Sequence, residues 1–331
     1  MSGEERVVLA GIDEAGLGPL LGSLAIGYVL LEVPTGERDP WKRLRGTVAK
    51  TPGARARVVV ADSKLVFQRN ARGAERLETT ALSFLAQRAC LAPQDEGRVD
   101  PDPERFLFGA LAPARAWRAL PWRAELARLP RVCKRDSLEL TCTLLARALA
   151  RAHIEVLDAG VRLVPAAELN ASFAETGNKA SSTWGLVLEV LRHVWARRVR
   201  APIVATVDML GGRRRYGTLL AQAFPEAALE LVEESLGRSV YTLAARDGSG
   251  TLRLEFRVQA DRRCFEVALA SCLAKYAREL EMHAFNAYFR HFQPDLVPTA
   301  GYRGDGARWL AEAGAALAQS GLAREWLVRT R

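Results

Sequence analysis

Residues 11–22 read Gly-Ile-Asp-Glu-Ala-Gly-Leu-Gly-Pro-Leu-Leu-Gly, and this stretch carries the strongest information on the fold. The adjacent acids Asp13 and Glu14 follow an apolar, strand-like run over 7–12 and precede a glycine-rich turn. Two carboxylates at the exit of a buried strand are costly to remove from water unless a cation lies against them. The stretch therefore predicts a strand that ends beside a divalent metal, a phosphate or both.

The composition is that of an ordinary globular chain with a basic balance. The 331 residues are 49% hydrophobic and 26% charged, and the formal net charge is +9, which fits one large domain or two. A positive net charge favours a polyanionic partner such as nucleic acid. The excess of basic residues is almost wholly arginine, however, and a high arginine content can also come from the base composition of the gene. The five cysteines and four histidines have no zinc-type spacing, so we expect buried, reduced thiols and a cytoplasmic location. No apolar stretch is long enough for a membrane span of about 20 residues, and we expect no membrane partner.

Patterns of apolar residues predict an α/β protein. Strand-like runs over 6–12 and 23–32, joined by the glycine-proline turn, predict a hairpin, and 57–61 predicts a third strand. Helical periodicity and further strand-like runs then alternate, with helices over 70–90, 138–151, 181–198, 265–292 and 306–317 and strands over 154–163, 201–207 and within 228–259. This succession predicts a mixed sheet, antiparallel in its opening strands and parallel afterwards, flanked by helices and followed by a C-terminal helical extension.

Segment 91–136 interrupts the pattern with six prolines, two tryptophans and many arginines. We interpret it as an insertion on the body of the fold. One interpretation is an added nucleic-acid surface, with arginines for phosphates and Trp117 or Trp122 for stacking. The other is a structural addition that packs its tryptophans on the core.

Four acids lie where a predicted strand meets a loop: Asp13, Glu14, Asp208 and Asp261. In an open α/β sheet such strand ends line a common crevice. Clustered carboxylates repel one another unless divalent cations are present, and oxygen-only ligands suit Mg²⁺ or Mn²⁺ better than zinc. Two such ions about 4 Å apart clamp the attacking and leaving oxygens of a phosphodiester displacement. The pattern predicts a metal-dependent phosphoryl-transfer enzyme, although each acid alone is also typical of a turn or a helix cap.

These residues resemble the ribonuclease HII family. Residues 11–20 are similar to that family's opening Gly-Ile-Asp-Glu-Ala-Gly-Arg-Gly-Pro-Leu segment, and Asp62-Ser63-Lys64 is similar to its Asp-Ser-Lys motif. The stretch 261–275 resembles the family's fourth acid followed nine residues later by Ala-Ser-Ile-x-Ala-Lys, and Gly301-Tyr302 resembles its late Gly-Tyr. The matched blocks are short, keep the family's order and span most of the chain.

The resemblance implies a ribonuclease H-like fold in which Asp13, Glu14, Asp208 and Asp261 are catalytic and bind two Mg²⁺ or Mn²⁺ ions. It implies an endonuclease that cleaves the RNA strand of RNA–DNA hybrids, or ribonucleotides within duplex DNA, and leaves a 5′-phosphate. It also implies a set of nucleic-acid contacts around the acids: Gly16, Leu17, Gly18, Lys64, Ser271, Lys275, Arg278 and Tyr302. It implies a catalytic domain over 1–260, including insertion 91–136. A helical part over 261–331 would carry the fourth acid and pack on the same domain.

The chain departs from the family at Leu17, which stands where the family has an arginine between two glycines. An arginine there can donate charged hydrogen bonds to ribose and phosphate, and leucine can donate none. The substrate therefore stays open between a hybrid, a single embedded ribonucleotide and another structured nucleic acid. A non-catalytic nucleic-acid-binding relative is a further alternative. The four acids argue against it, because a binding module has no use for clustered negative charge near phosphates. Two smaller departures are Glu266, which replaces a small residue and either approaches the metals or faces away, and Arg303-Gly304 in place of Gly-Thr. We expect no obligate protein partner.

Overall fold

The fold is built on a seven-stranded mixed sheet with helices on both faces. The structure is a computed structural model, which describes residues 5–53, 58–91, 95–111, 114–198 and 201–330. The strands are β1 (Arg6–Ala15), β2 (Leu24–Pro34), β3 (Val48–Ala49), β4 (Val58–Val59), β5 (Glu155–Val164), β6 (Ile203–Asp208), β7 (Ala227–Glu234), β8 (Arg238–Ala245) and β9 (Thr251–Arg257). The α-helices are α1 (Pro40–Arg43), α2 (Ser63–Val66), α3 (Ala71–Leu85), α4 (Pro103–Leu107), α5 (Arg115–Arg118), α6 (Arg135–Ala152), α7 (Ala166–Thr176), α8 (Lys179–Trp195), α9 (Gly217–Ala223), α10 (Phe265–Phe292), α11 (Arg303–Glu312) and α12 (Gly314–Ser320).

The strand order is β5-β2-β1-β6-β9-β8-β7. The central strands β1, β6 and β9 are parallel, whereas β2 and β5 on one side and β8 and β7 on the other pair antiparallel. The α/β class, the opening hairpin, the mixed sheet and the C-terminal helices expected from the sequence are confirmed. The later strands are not all parallel as expected, because β5, β7 and β8 pair antiparallel with their neighbours. The parallel strands lie in the middle of the sheet, so their carboxyl ends share one edge.

Two local expectations need correction, and one helix was not predicted. The predicted strand over 57–61 is reduced to β4, which pairs with β3 in a separate two-stranded sheet, and residue 57 lies outside the described residues. The predicted helix over 306–317 is two helices, α11 and α12, which meet at Ala313. Helix α7 was not predicted, because only two of its residues are buried and they leave little helical periodicity to read.

Strand β1 is buried on both faces of the sheet. Val7 and Leu9 pack in the core shared with α3, α6 and α10, whereas Val8, Ala10 and Ile12 pack in the core shared with α8 and α9. Successive side chains of a strand point to opposite faces, so a strand covered on both sides needs a continuous apolar run. This requirement explains why the segment before Asp13 is apolar without alternation.

Two glycines let α10 lie directly on the sheet. A Cβ at Gly11 would come within 2.2 Å of the Glu266 carbonyl oxygen, and one at Gly27 within 2.1 Å of the Ala270 carbonyl oxygen. Any side chain at either position would force α10 away from β1 and β2. The glycine that opens the 11–22 stretch therefore sets the distance between the sheet and the helix that carries Ser271 and Lys275.

The insertion packs its tryptophans inside. Trp117 and Trp122 are fully buried, and the Trp122 ring lies 5.1 Å from that of Phe285 on α10. The Trp122 indole Nε1 donates to Glu281 at 3.3 Å. The two tryptophans serve the core, which supports a structural addition over a stacking surface.

Two further expectations concern composition. All five cysteines are free thiols, but only Cys142 and Cys272 are buried, whereas Cys133 and Cys264 are half-buried and Cys90 is exposed. No helix within the described ranges is long and apolar enough to cross a membrane.

Candidate active site

The four predicted acids come together at the carboxyl edge of the parallel strands. Asp13 and Glu14 lie at the end of β1, Asp208 is the last residue of β6, and Asp261 lies in a short 3₁₀ turn after β9. All four line one pocket of about 300 Å³. The backbone N–H of Ala260 donates to Asp208 Oδ1 at 2.8 Å, which ties the turn carrying Asp261 to the end of β6.

The turn that presents Asp261 starts with Gln259 in the left-handed region, at φ 53°. This conformation is less favourable by roughly 1 kcal/mol or more for a residue with a Cβ, whereas glycine adopts it readily. The turn after β9 therefore holds Asp261 at the strand edge in spite of local backbone strain, as functional sites commonly do.

Burial and mutual repulsion raise the pKa of every one of these carboxyl groups. The pKa of Asp13, which is only 7% exposed, lies well above its usual value because of burial first and Glu14 second. Burial and Asp208 raise the pKa of Glu14 to about 7, and burial with the neighbouring Asp62 raises that of Asp261 to about 6. The pKa of Asp208 is also raised, mainly by burial. The cluster holds more negative charge than its surroundings neutralise.

A divalent cation is the species whose chemistry fits this donor set. Four carboxylates with raised pKa values offer hard oxygen ligands, and the Lys64 ammonium is the cation whose charge lowers the pKa of Glu14, Asp208 and Asp261. In the described part of the chain, however, no group of three or more His, Cys, Asp or Glu side chains has the arrangement to hold a metal ion. The donor types fit Mg²⁺ or Mn²⁺, and the side-chain positions do not by themselves define an ion site.

Asp62 adds a fifth carboxylate to the pocket, and the sequence pattern alone did not assign it there. Its Oδ1 accepts from the Lys64 backbone N–H at 2.9 Å and so caps α2, and its Oδ2 accepts from Arg262 Nε at 3.2 Å. Ser63 also lines the pocket and accepts a hydrogen bond from Ser271 Oγ at 3.0 Å. In the sequence, an acid that caps a helix looks the same whether or not it also lines a pocket. Only the tertiary structure could therefore place Asp62 in the acid pocket.

The glycine-rich loop after Glu14 forms one wall of the pocket. Gly16 has φ +90°, and a Cβ there would come within 2.6 Å of the Arg278 side chain. Gly18 faces open space, so its backbone is accessible to a ligand. Leu17 is 38% exposed and lines the pocket between them. Packing of Arg278 under the loop, and the positive φ, account for the glycine at position 16.

Arg278 does not lie where a phosphate could reach it. It is only 1% exposed, and its guanidinium donates to the carbonyls of Ser23, Leu21 and Ala300. It is also absent from the pocket wall. The expected nucleic-acid contact of Arg278 is therefore corrected to a structural one, because a buried guanidinium with three carbonyl partners supports the loop from below.

A second buried arginine, which sequence reasoning missed, holds the same loop. Arg329, near the C-terminus, donates from Nη1 to the Gly16 carbonyl and from Nε to the Gly22 carbonyl at 2.8 Å. Burial and the charge of Arg278 lower its pKa to about 9. The C-terminal segment is held in turn by Asn170, whose side chain donates to the Val328 carbonyl at 2.9 Å and accepts from Thr330. The C-terminus thus fixes the loop that carries Leu17.

The remaining predicted contacts lie at the pocket. Lys64 is exposed, Ser271 is buried and hydrogen-bonded to Asp13, and Lys275 pairs with Glu279. Tyr302 is 40% exposed and caps the start of α11, with the Arg69 guanidinium 5.5 Å above its ring. These four side chains therefore stand around the acids.

Glu266 faces away from the acids. It is buried in the first turn of α10, next to Thr206 and Glu255, and does not line the pocket. Of the two possibilities left by the sequence, the structure selects the second.

Comparisons with known proteins add the following likenesses. The chain is similar in structure to ribonuclease HII of Archaeoglobus fulgidus, solved in complex with PCNA, at 15% identity over 98% of this chain and 94% of that one, with a TM-score of 0.42. It is similar to ribonuclease H2 of Pyrococcus horikoshii OT3 at 16% identity over 97% and 92%, with a TM-score of 0.39. It is also similar to Bst-RNase HIII in complex with Mn²⁺ at 12% identity over 99% and 67%, with a TM-score of 0.37. No protein-family model and no curated protein matches the sequence.

Proposed function

We propose that the chain is a metal-dependent endonuclease of the ribonuclease H type, which hydrolyses the RNA strand of an RNA–DNA hybrid. The observation that carries the proposal is the convergence of Asp13, Glu14, Asp208 and Asp261 at the ends of three parallel strands, in a pocket that raises all four pKa values. A module that only binds nucleic acid gains nothing from clustered negative charge beside phosphates. The sequence resemblance to ribonuclease HII supports the same assignment.

In this proposal the four acids hold the catalytic ions. Two bound Mg²⁺ or Mn²⁺ ions supply neutralisation of the phosphate charge and Lewis-acid polarisation of the scissile phosphoryl group. The protein's own part is to position the strand, since in-line hydrolysis gains most from orientation and electrostatic stabilisation. Residues 1–260 and 261–331 would act together, because the second part carries Asp261 and the helix behind the pocket.

The positively charged side chains at the pocket would bind the substrate backbone. Lys64 and Lys275 are placed to contact phosphates, which positions a strand without reading its sequence. Ser271 would support the substrate strand through its contact with Asp13, and Tyr302 offers an exposed ring to a sugar or base. The open backbone at Gly18 allows a close main-chain approach to a ribose 2′-hydroxyl, which is the group that distinguishes RNA from DNA.

Leu17 sets the expected substrate preference. Its exposed apolar side chain stands at the pocket wall, where an arginine would reach ribose and phosphate oxygens. A continuous RNA strand presents a 2′-hydroxyl at every position, whereas a single embedded ribonucleotide presents one. We therefore propose that the hybrid is preferred over the embedded ribonucleotide.

A substrate panel tests the proposal. Purified protein is incubated with Mg²⁺ or Mn²⁺ and with an RNA–DNA hybrid, a DNA duplex with one ribonucleotide, a plain DNA duplex and a branched DNA junction. The proposal predicts cleavage of the hybrid first, with Leu17→Arg raising cleavage at the single ribonucleotide relative to the hybrid. Leu236→Arg, at a leucine that is 74% exposed outside the pocket, controls for the added charge. Cleavage of the junction alone would assign a different substrate, and cleavage of nothing would remove the enzyme function.

A further inference from the structure

A second cavity lies directly beside the acid pocket. We call it the side pocket; it has a volume of about 480 Å³ and lies between α3, α10 and residues 299–300. Two contacts join it to the acid pocket: the Lys275 ammonium lies 4.8 Å from the Phe67 ring centre, and the Arg69 guanidinium lies 5.5 Å from that of Tyr302. Phe67 and Arg69 line the side pocket, and Lys275 and Tyr302 line the acid pocket. One ridge therefore separates the two.

The carboxylates of the side pocket already have partners within the protein. Glu78 is fully buried and accepts from the backbone N–H groups of Arg131 at 2.9 Å, of Val132 at 2.6 Å and of Cys133 at 2.6 Å, as well as from the Tyr276 hydroxyl at 2.9 Å. Glu279 pairs with Lys275. Both carboxylates are thus engaged by groups of the protein itself.

The cations of the side pocket are, by contrast, available. Within the ranges that the structure describes, no carboxylate pairs with the exposed guanidinium groups of Arg69 and Arg131. His283 also lines the pocket, and its pKa is lowered by burial and by the charge of Arg131. The rim of the side pocket therefore presents two guanidinium groups that no carboxylate of the described residues pairs with.

The floor of the side pocket is apolar. It is formed by Leu77, Leu280 and Met282, which are buried, and by the half-buried Phe67. The lining amide of Asn286 is engaged inside the protein, where it donates to the Thr299 carbonyl at 2.8 Å. An apolar floor under a cationic rim matches a base or sugar joined to a phosphate, and the volume is in the range of ligand pockets, about 300–1,000 Å³.

We infer that the side pocket binds a nucleotide of the substrate strand on one side of the scissile phosphate. The inference rests on the proposed nuclease function, which places that phosphate at the acid pocket, one ridge away. Arg131 contacts the phosphate of this nucleotide, Arg69 bridges towards Tyr302, and the apolar floor receives the sugar or base. The occupant is a single nucleotide unit, which suits a cavity of about 480 Å³.

Binding of an RNA–DNA hybrid to Arg131→Ala tests the inference. The substitution leaves the backbone N–H that binds Glu78 in place, so the fold is expected to persist. Fluorescence anisotropy in EDTA measures the dissociation constant across a salt series without cleavage. We expect about tenfold weaker binding and a salt slope reduced by about one, as for a lost phosphate contact. Arg147→Ala, an exposed arginine on α6 outside both pockets, is the matched control and should bind as the wild type does. Arg131→Lys should restore most of the affinity.

Shortening the hybrid stepwise from each end separates a nucleotide subsite from a general charge effect. The difference between Arg131→Ala and the wild type should vanish when nucleotides are removed from one end only. Equal binding by Arg131→Ala and Arg147→Ala, or a difference that persists whichever end is shortened, would overturn the inference while wild-type cleavage upholds the proposed function. Wild-type protein that neither binds nor cuts the hybrid would instead overturn the proposed function first.

Discussion

Glu266 provides a quantitative test of the packing between α10 and the sheet. Its carboxyl group is buried against Thr206, and burial raises its pKa from 4.5 to about 7, with Glu255 and Asp39 adding to the increase. Glu266→Gln keeps the shape and the hydrogen-bonding capacity but removes the titration. The two proteins should therefore differ in stability in a way that depends on pH.

The folded and unfolded pKa values of Glu266 determine which of the two proteins is more stable at a given pH. Below about pH 4.5 the carboxyl group is protonated in both the folded and the unfolded wild type, so the two proteins have similar stability. Between about 4.5 and 7 the unfolded chain ionises while the folded protein keeps the proton, so wild-type stability falls relative to the variant as the pH rises. Above about pH 7 the full difference is reached, on the order of 3 kcal/mol at about 1.4 kcal/mol for each pH unit between the two pKa values.

Urea unfolding followed by circular dichroism near pH 5 and near pH 8 measures this difference. We expect Glu266→Gln to be more stable than the wild type by about 3 kcal/mol near pH 8 and by less than about 1 kcal/mol near pH 5. Glu230→Gln, at an exposed position on β7, should change stability little at either pH. A Glu266→Gln advantage that is the same at both pH values would refute the burial of an ionisable Glu266.

Three other outcomes follow from the geometry. Gly11→Ala should destabilise the fold by about 3 kcal/mol or more in urea unfolding, because its Cβ would overlap the α10 backbone, whereas Gly185→Ala in α8 meets open space and should be neutral or stabilising. Equal effects would contradict the close contact. Arg329→Ala should raise KM more than it lowers kcat, since it frees the Gly16 carbonyl and loosens the loop; an unchanged KM would speak against the clamp. Mg²⁺ should raise the melting temperature of the wild type and raise that of Asp208→Asn less, which differential scanning fluorimetry can follow; equal shifts would speak against metal binding by Asp208.

The acids of the pocket were predictable because their signal is local. Asp13 and Glu14 lie at the end of β1, and Asp208 and Asp261 come at or just after the ends of β6 and β9. Because the carboxyl ends of parallel strands share one edge of a sheet, the sequence pattern was enough to predict that the four acids meet. The α10 limits were equally predictable, because its apolar periodicity runs without interruption over Phe265–Phe292.

The residues that hold the pocket in place could not be predicted from the sequence, because they act through contacts between segments far apart in the chain. Arg329 bonds to Gly16 across 313 residues, and near the C-terminus it is one basic residue without any pattern around it. Arg278 follows the helical spacing of a surface cation, so only the structure shows that its guanidinium turns inward beneath the loop. The side pocket likewise depends on the meeting of α3 and α10 with residues 299–300. Contacts between residues so far apart leave no periodic pattern in the sequence.

Cleavage of a labelled RNA–DNA hybrid by wild type and Asp13→Asn, side by side in Mn²⁺ and in EDTA, tests the central claim most directly. If the four acids hold catalytic ions, the wild type gives RNA-strand products with 5′-phosphate ends in Mn²⁺, and neither EDTA nor Asp13→Asn gives any product. Cleavage that survives Asp13→Asn or EDTA, or a wild type that binds the hybrid without cutting it in Mn²⁺, would contradict the assignment of the four carboxylates as a catalytic metal site.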